Sequence, residues 1–458
     1  MKDQFRFTEG PILAPLLRFV FPVLFALFLQ AMYGAVDLLV VGKFAGAEDV
    51  SAVSTGSQIM MTITNLLSSL AMGITVFLGR KIGERDEQAG GAIVGSGLFL
   101  FLLIGLLLTG AIPLTATRLA SVMHAPPEAF SLTVQYIRIC GFGSIVIIAY
   151  NLIGSIFRGL GDSRTPLITV LIACLCNIAG DLLLVAVAGM GTIGAALATV
   201  FAQTVSVVIS LFLIRRKQLP FAFNVTRIRW NGGIIGKIVS LGAPIALQDL
   251  LVGISFLVIL AVVNSLGLVA SAGVGVAEKV CAFIMLVPAA FMQAMSAFVA
   301  QNHGAGRIDR ALKGLTCAVG VSFLFGVSMF FLAYFKGDLL SYIFASDADI
   351  IAASADYLRA YAIDCLLTCF LFCFIGFFNG MEYTRFVMAQ GIVGAFLVRV
   401  PVSFLMSRVE PVSLFRIGLA TPCSTVIQIM LCLVCFVYMK KRNSTSEGSF
   451  ACIGKQSR

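Results

Sequence analysis

The sequence predicts an all-α membrane protein with twelve transmembrane helices, arranged as two six-helix bundles that are related by a parallel internal repeat. Hydrophobic residues make up 59% of the 458 residues, charged residues only 12%, and the mean hydropathy is +1.01. A soluble protein of this length carries roughly twice that charge. Apolar runs near 20 residues or longer recur twelve times, separated by short charged or Gly-rich loops. The composition therefore indicates a polytopic membrane protein.

The twelve predicted spans fall into two groups of six around one long polar stretch. That stretch runs from Arg215 to Lys237 and holds five Lys or Arg before Trp230. The predicted spans are 15–40, 51–78, 89–113, 130–156, 165–188, 192–214, 236–263, 269–298, 311–335, 352–378, 386–407 and 413–439. The predicted domains are an N-terminal lobe with the cation site at 1–214, a cytoplasmic linker at 215–235, a C-terminal lobe at 236–440 and a cytoplasmic tail at 441–458.

The two halves repeat each other at an offset of about 221 residues. Each half holds an even number of spans, so both halves begin on the same side of the membrane. This predicts a parallel repeat about an axis along the membrane normal, as in transporters whose two lobes rock around a central cavity. Matched pairs include Pro22 with Pro244, Gly83 with Gly304, Tyr136 with Tyr357 and Thr199 with Thr421.

The net charge of +10 is a topology signal. Most of the Lys and Arg residues fall in the tails and in alternate loops on the N-terminal side. By the positive-inside rule, both termini are expected in the cytoplasm of a multi-pass protein of the plasma membrane. Nucleic acid is not expected as a partner.

Polar side chains stand inside two spans of the first half. Gln30, Tyr33 and Asp37 are three and four residues apart, so they share one helix face. Asn177 and Asp181 are likewise one helical turn apart. A carboxylate inside the membrane is costly and indicates function. A carboxylate that merely pairs with a basic residue for packing is the alternative, and Arg138 is the candidate partner of Asp37.

The polar residues of the first half together form a set of hard oxygen ligands. Tyr136 and Asn151 lie in the fourth span and Thr199 lies in the sixth. Carboxylates, amides and a hydroxyl suit Na⁺ or a proton, and are poor ligands for zinc. We therefore expect a cation site, with Na⁺ as a candidate metal ion, and a cavity lined by the other polar residues.

The duplication provides an internal control for these acids. If the offset is applied, the acidic and amide positions of the first half meet apolar residues in the second. Asp37 falls on Ile259, Asn177 on Val398 and Asp181 on Val402. A carboxylate needed only for folding would be expected in both halves, so this asymmetry predicts a functional ion site in the first lobe.

The second half has acidic residues of its own. Asp249 and Asp364 are candidates for lining the cavity, with Asp364 expected where the tenth span opens. No G-x-x-x-x-G-K-[ST] motif occurs in the chain, so neither an ATP-driven pump nor a nucleotide-binding subunit is expected.

Five segments in order make the chain similar to a known family. They are YGAVDLLVVG (33–42), FRGLGDSRTP (157–166), NIAGD (177–181), GAALAT (194–199) and QNHGAGRIDR (301–310). On these residues the chain resembles the multidrug and toxic compound extrusion (MATE) transporters over essentially its whole length.

The resemblance implies a V-shaped pair of six-helix bundles and cation-coupled antiport of cationic or amphipathic toxic compounds. It implies that Asp37, Asn177, Asp181 and Thr199 bind the cation, while Tyr136 and Asn151 match further polar positions of that lobe. Another branch of the family carries its coupling pair in the second lobe, as a Glu of the seventh helix and an Asp of the tenth. The seventh helix here offers Asp249, whose register does not match that Glu.

We therefore expect a secondary antiporter, not an enzyme, that exports a small cationic or amphipathic drug in exchange for H⁺ or Na⁺ by alternating access. It would need no cofactor besides the coupling ion, work in a lipid bilayer and be a monomer. The alternative from the same wider superfamily is a flippase for a lipid-linked oligosaccharide or other lipid, which needs a cavity rich in Arg and Lys. A channel or receptor is a third class.

Overall fold

The computed structural model describes residues 7–217, 219–221 and 223–453. Side chains are described up to residue 441, with the exception of residue 225. Within this part of the chain the regular structure is helical, with no β-strand. A helix satisfies its backbone hydrogen bonds internally, as the lipid requires. The last residues of the predicted tail, 454–458, and two positions of the predicted linker, 218 and 222, lie outside the described residues.

The bounds of the helices follow the predicted spans closely. In the first half they are α1 Leu13–Phe44, α2 Ala47–Gly83, α3 Glu87–Val122, α4 Pro127–Phe142, α5 Ser144–Gly159, α6 Arg164–Asp181 with a π-helical turn at Leu182–Val187, and α7 Gly191–Arg216. A short 3-10 turn, Val225–Arg227, follows. In the second half they are α8 Gly232–Asn264, α9 Leu268–Ile284, α10 Leu286–Gly304, α11 Ile308–Phe335, α12 Gly337–Tyr342, α13 Ala348–Gly380, α14 Thr384–Ile392 with a π-helical turn at Val393–Arg399, α15 Val400–Met406, α16 Leu414–Gly418 and α17 Ala420–Ile453.

Twelve spans can be counted in the described residues. Eleven helical segments are long and apolar enough to cross a membrane, and α4 with α5 forms a twelfth that bends by 55°. The bend lies at Gly143, between Phe142 and Ser144. The predicted fold class, an all-α membrane protein with twelve transmembrane helices, is therefore confirmed.

By its internal contacts, the chain forms two compact units. The first contains the chain up to Leu250 together with Ala289–Ala318 and Gly376–Arg385. The second contains Leu251–Pro288, Val319–Ile375 and the chain from Phe386 onward. Two pieces of the second half of the sequence thus belong to the first unit. The lobe boundaries drawn from the repeat stay a prediction.

Two glycines allow helices α2 and α10 of the first unit to touch backbone to backbone. A Cβ atom at Gly83 would lie 2.0 Å from the carbonyl oxygen of Gln301, and one at Gly304 would lie 1.9 Å from that of Arg80. Gly83 and Gly304 are partners in the repeat, and so are Arg80 and Gln301. The two contacts are therefore repeat equivalents of each other.

We expect Gly83→Ala to destabilise the protein, because the added methyl group forces two backbones apart. Overpacking of this kind costs about 1–3 kcal/mol. The matched control is Gly320→Ala on α11, where a Cβ meets nothing within 4 Å, and where the change should gain about 0.5–1 kcal/mol of helix stability. Thermal unfolding of the purified variants measures both effects. Equal melting temperatures for the two variants would contradict the close crossing.

The motif at 301–310 fastens the start of the chain within the first unit. Gln301 Nε2 donates to the Gly159 carbonyl over 2.9 Å, and Asn302 Nδ2 donates to the Phe7 carbonyl over 3.3 Å. The Arg310 guanidinium donates to four carbonyl oxygens, those of Phe7, Glu9, Gly10 and Pro11. This part of the family resemblance therefore has a structural role in the described fold.

A group of ion pairs in the first unit centres on Glu382, in the turn between α13 and α14. Its Oε2 lies 2.9 Å from Arg80 Nη1 and 2.6 Å from Lys237 Nζ. Burial by itself raises the pKa of Glu382, but hydrogen bonds from Lys237 and Arg80 hold that pKa below its ordinary value. Glu382 has a left-handed φ of 66°, whereas its repeat partner Gly161 has 79°. A residue with a side chain is strained in the left-handed region of φ. The ion pairs with Arg80 and Lys237 therefore stabilise Glu382 in an unfavourable backbone conformation.

Candidate functional site

Asp37 lies on α1 about two turns before the helix ends at Phe44. Its side chain is 5% exposed, and its Oδ2 accepts a hydrogen bond of 3.4 Å from the Thr199 hydroxyl on α7. Val40 and Val41 of α1 belong to a buried apolar cluster with Val53 of α2 and Tyr136. The two residues predicted in the first and sixth spans therefore meet.

Asn177 and Asp181 approach the same carboxyl group from α6. They are 1% and 0% exposed, and both side chains face Asp37. Asp181 is the last residue of α6, and the π-helical turn follows it directly. Such turns interrupt the regular hydrogen-bond ladder and are frequent at functional sites. The structure thus brings the four predicted cation-site residues together.

The cluster contains polar atoms that the protein does not satisfy. Five buried atoms have no hydrogen-bond partner among the described residues: Asp37 Oδ1, both side-chain polar atoms of Asn177 and both carboxyl oxygens of Asp181. A buried polar group without a partner is costly, and two neighbouring carboxylates cannot both stay charged without a positive charge. The arrangement is therefore suited to take up a cation or a proton.

The donor set fits a hard cation. Two carboxylates, an amide and a hydroxyl supply oxygen ligands of the kind that alkali and alkaline-earth ions prefer. Within the described residues, no three His, Cys, Asp or Glu side chains form a group that could hold a metal ion. The role of Asp37, Asn177, Asp181 and Thr199 in binding a cation stays a prediction.

A small cleft borders the cluster. Its lining includes the predicted residues Tyr33, Asn177 and Thr199, together with Tyr150 and Gln203. The remaining lining residues, Val170, Ala173 and Ala202, are apolar. The cleft therefore combines apolar and aromatic walls with a few polar groups.

Tyr150 and Gln203 were not predicted from the sequence. Gln203 lies one turn after Thr199 on the same face of α7, and its side chain faces Tyr33. Tyr150 accepts a hydrogen bond of 3.0 Å from Gln30 Nε2. The helical spacing from Thr199 could have identified Gln203, whereas no spacing identifies Tyr150.

Two residues of the fourth predicted span differ in their surroundings. Tyr136 is buried against Gly56 of α2 and lies close enough to Asp37 for the charge of that carboxylate to act on its hydroxyl group. Asn151 instead accepts a hydrogen bond of 2.9 Å from Ser68, and it donates one of 2.8 Å to a backbone carbonyl. Its contacts are structural.

The exposed Arg138 forms no salt bridge with the buried Asp37, nor does any other basic residue of the described chain. No contact therefore supports the alternative in which Arg138 merely pairs with Asp37 for packing.

The two acids predicted in the second half do not join the cluster. Asp249, on α8, is exposed and accepts a hydrogen bond from Ser69 of α2. Asp364 belongs to the second unit and is buried. The expectation that Asp364 opens a span was wrong, because α13 begins at Ala348 and continues unbroken to Gly380, which puts Asp364 near its middle.

Comparisons with known proteins agree with this fold. A sequence model of the MatE family matches residues 22–183 and again residues 244–405, one stretch in each half. The probable multidrug resistance protein YoeA of Bacillus subtilis (strain 168) is 24% identical over 93% of this chain and 94% of its own length. The probable multidrug resistance protein YpnP of the same organism is 28% identical over 88% and 90%.

Among solved structures, the crystal structure of MATE in complex with MaL6 has a TM-score of 0.89. It is 19% identical, and the match covers 98% of this chain and 100% of that one. At this identity the likeness shows the fold alone. The twofold match of the family model and this likeness confirm the predicted repeat of two six-helix bundles.

Proposed function

Because this chain belongs to the MatE family of membrane transporters, we propose that it is a secondary antiporter of the plasma membrane that exports cationic or amphipathic drugs in exchange for H⁺ or Na⁺. The observation that carries the proposal is the buried set of unpartnered oxygens on Asp37, Asn177 and Asp181. The names of the relatives, multidrug resistance proteins, support the substrate class.

The shared lining of ion cluster and cleft provides a physical basis for exchange. Asn177 and Thr199 belong to both. A bound H⁺ or Na⁺ neutralises Asp37 and Asp181 and engages these two residues, whereas a cationic drug in the cleft is attracted by the same carboxylates when they are charged. The two ligands therefore compete for one set of groups, as exchange by alternating access requires.

Ion binding also links helices that are far apart in the sequence. Asp37 lies on α1, Asp181 at the end of α6 and Thr199 on α7. A cation that binds all three draws these helices together, and its release lets them separate. A ligand shifts such an equilibrium only through its different affinity for the two arrangements. In this proposal both termini lie in the cytoplasm, and one chain carries the whole cycle.

Transport in proteoliposomes, with the pH and Na⁺ gradients clamped independently, tests the proposal. We expect a fluorescent organic cation such as ethidium to accumulate against its own gradient when an opposing H⁺ or Na⁺ gradient is imposed. Collapse of that gradient should stop accumulation. If the organic cation only moves down its own concentration gradient, at a rate independent of both ion gradients, antiport would be rejected and a channel favoured.

A further inference from the structure

The structure corrects the register between the two halves in the region of the ion cluster. From residue 175 to 181 the alternation of exposed, intermediate and buried side chains is identical to that from 397 to 403. Asn177 therefore corresponds to Arg399, and Asp181 to Ser403, rather than to Val398 and Val402 as the sequence predicted. The π-helical turn at Val393–Arg399 explains the shift, because each of its turns takes an additional residue.

A second pair of equivalent positions follows from the fourth and tenth spans. Tyr136 and Tyr357 are equivalent and both buried. Seven residues further along the chain, the first half has Gly143 and the second has Asp364. The bend between α4 and α5 lies at Gly143, whereas α13 continues unbroken through Asp364.

Charged and neutral residues are thus exchanged between the two clusters. The first unit has the acids Asp37 and Asp181, where the second has Ile259 and Ser403. The second unit has Arg399 and Asp364 at the positions of Asn177 and Gly143. The first cluster therefore carries two acids without a basic partner, and the second carries one acid with one base.

The surroundings of Arg399 hold its charge inside the second unit. The side chain is 6% exposed, its Nη1 donates to the Ser255 hydroxyl over 3.1 Å, and its guanidinium lies 4.3 Å from the centre of the Phe256 ring. Its Nε and Asp364 Oδ1 are both buried without a hydrogen-bond partner among the described residues. A buried charge of this kind requires an opposite charge nearby.

Asp364 is the carboxylate that interacts with the Arg399 charge. The two are not in direct salt-bridge contact, and Asp364 also has the Thr425 hydroxyl beside it. The other titratable groups that act on Arg399 are Tyr357 and Tyr361. Glu278 acts on Tyr357 but is not among the groups that act on Arg399.

We propose that Arg399 is a tethered cation that occupies the second unit's counterpart of the ion site and neutralises Asp364, so that this unit takes up no coupling cation. Arg399 thereby confines ion coupling to the first unit and limits the number of ions per cycle. The effect of Arg399 on ion coupling rests on the proposed antiport function. The pairing of Arg399 with Asp364 does not depend on that function.

Thermal unfolding of the purified full-length protein tests the pairing. Arg399→Gln and Asp364→Asn should each lower the melting temperature by roughly 5–10 °C, because each leaves a buried charge without its partner. The double variant should lose much less than the sum of the two. Glu278→Gln is the matched control and should combine with Arg399→Gln additively. Additive losses for Asp364→Asn and Arg399→Gln, or a double variant that does not fold, would overturn the pairing.

The same variants test whether Arg399 takes the place of an external cation. In Arg399→Gln, Asp364 should accept Na⁺ or a proton, so added NaCl, compared with choline chloride, or acidification should recover part of the lost melting temperature. The response should disappear in the double variant. Absence of any response in Arg399→Gln, or its persistence in the double variant, would overturn this part. These experiments measure melting temperatures and not transport. Absence of antiport in vesicles would therefore reject the proposed function without affecting the pairing of Arg399 with Asp364.

Discussion

Replacing Asp181 or Asp37 by Asn is expected to abolish drug resistance while leaving the amount of protein in the membrane unchanged. Removing one charged partner of a buried cation costs about 2–5 kcal/mol of binding free energy, which lowers the cation affinity at least roughly 30-fold. Asn keeps the size of Asp, so the packing of α1 against α6 and α7 is preserved. Minimum inhibitory concentrations in a drug-sensitive host, with the membrane amount measured by immunoblot, provide the readout.

A stability measurement separates loss of the ion site from loss of the fold. Because the two buried carboxylates oppose each other without a cation, Asp181→Asn should keep or raise the melting temperature of the purified protein. Glu48→Gln removes the same charge from the exposed start of α2 and should leave resistance at the wild-type level. Normal resistance with either Asp37→Asn or Asp181→Asn would reject the proposed site.

Glu382→Gln is expected to cause the largest loss of stability among the single charge changes in the first unit. The Glu382 side chain is 9% exposed and faces Arg80 and Lys237. Removing one partner of a buried ion pair costs about 3–5 kcal/mol; since the two cations are themselves partly exposed, we expect a value near the lower end of that range. Glu84→Gln is the matched control, because Glu84 pairs with Arg80 and Lys81 at the surface within one helical turn, and each such pair contributes about 0.3–0.5 kcal/mol.

The contribution of Glu382 depends on pH in a defined direction. Its pKa in the folded protein is lower than the ordinary value of about 4.3 for an unfolded chain. The stabilisation is therefore fully present above that ordinary value and is lost as the pH falls through the lower value of the folded state. Wild type and Glu382→Gln should thus converge in melting temperature on acidification below about pH 4. A difference that stays constant to lower pH would show that Glu382 acts through packing and not through its charge.

Much of the fold and most of the ion cluster could be predicted because they depend on local patterns. Long apolar runs define spans, and a spacing of three or four residues places polar side chains on one face. Those rules identified Asp37 on α1 and the pair of Asn177 and Asp181 on α6. Thr199 was identified in another way, from its place in the repeat and in the family resemblance.

Other features depend on backbone geometry that single residue types do not specify. One additional residue in a π-helical turn shifted the register of the eleventh span, and so hid the equivalence of Asn177 and Arg399. The sequence also does not show that α13 continues unbroken through Asp364, whereas α4 and α5 are separate helices that bend at the equivalent Gly143. Tyr150 reached the cleft only through the packing of α5 beside α6.

The crossing at Gly83 and Gly304 has the form of an isologous interface inside a single chain. Residue 83 contacts residue 301 while residue 304 contacts residue 80, as across a twofold axis in a homodimer. A duplicated gene would inherit such self-complementary packing from a protein that paired with its own copy. Each substitution at this crossing consequently has a mirror counterpart with a comparable effect. The charged clusters have lost that equivalence, so the sequence has kept its symmetry where the backbones meet and diverged where the charges lie.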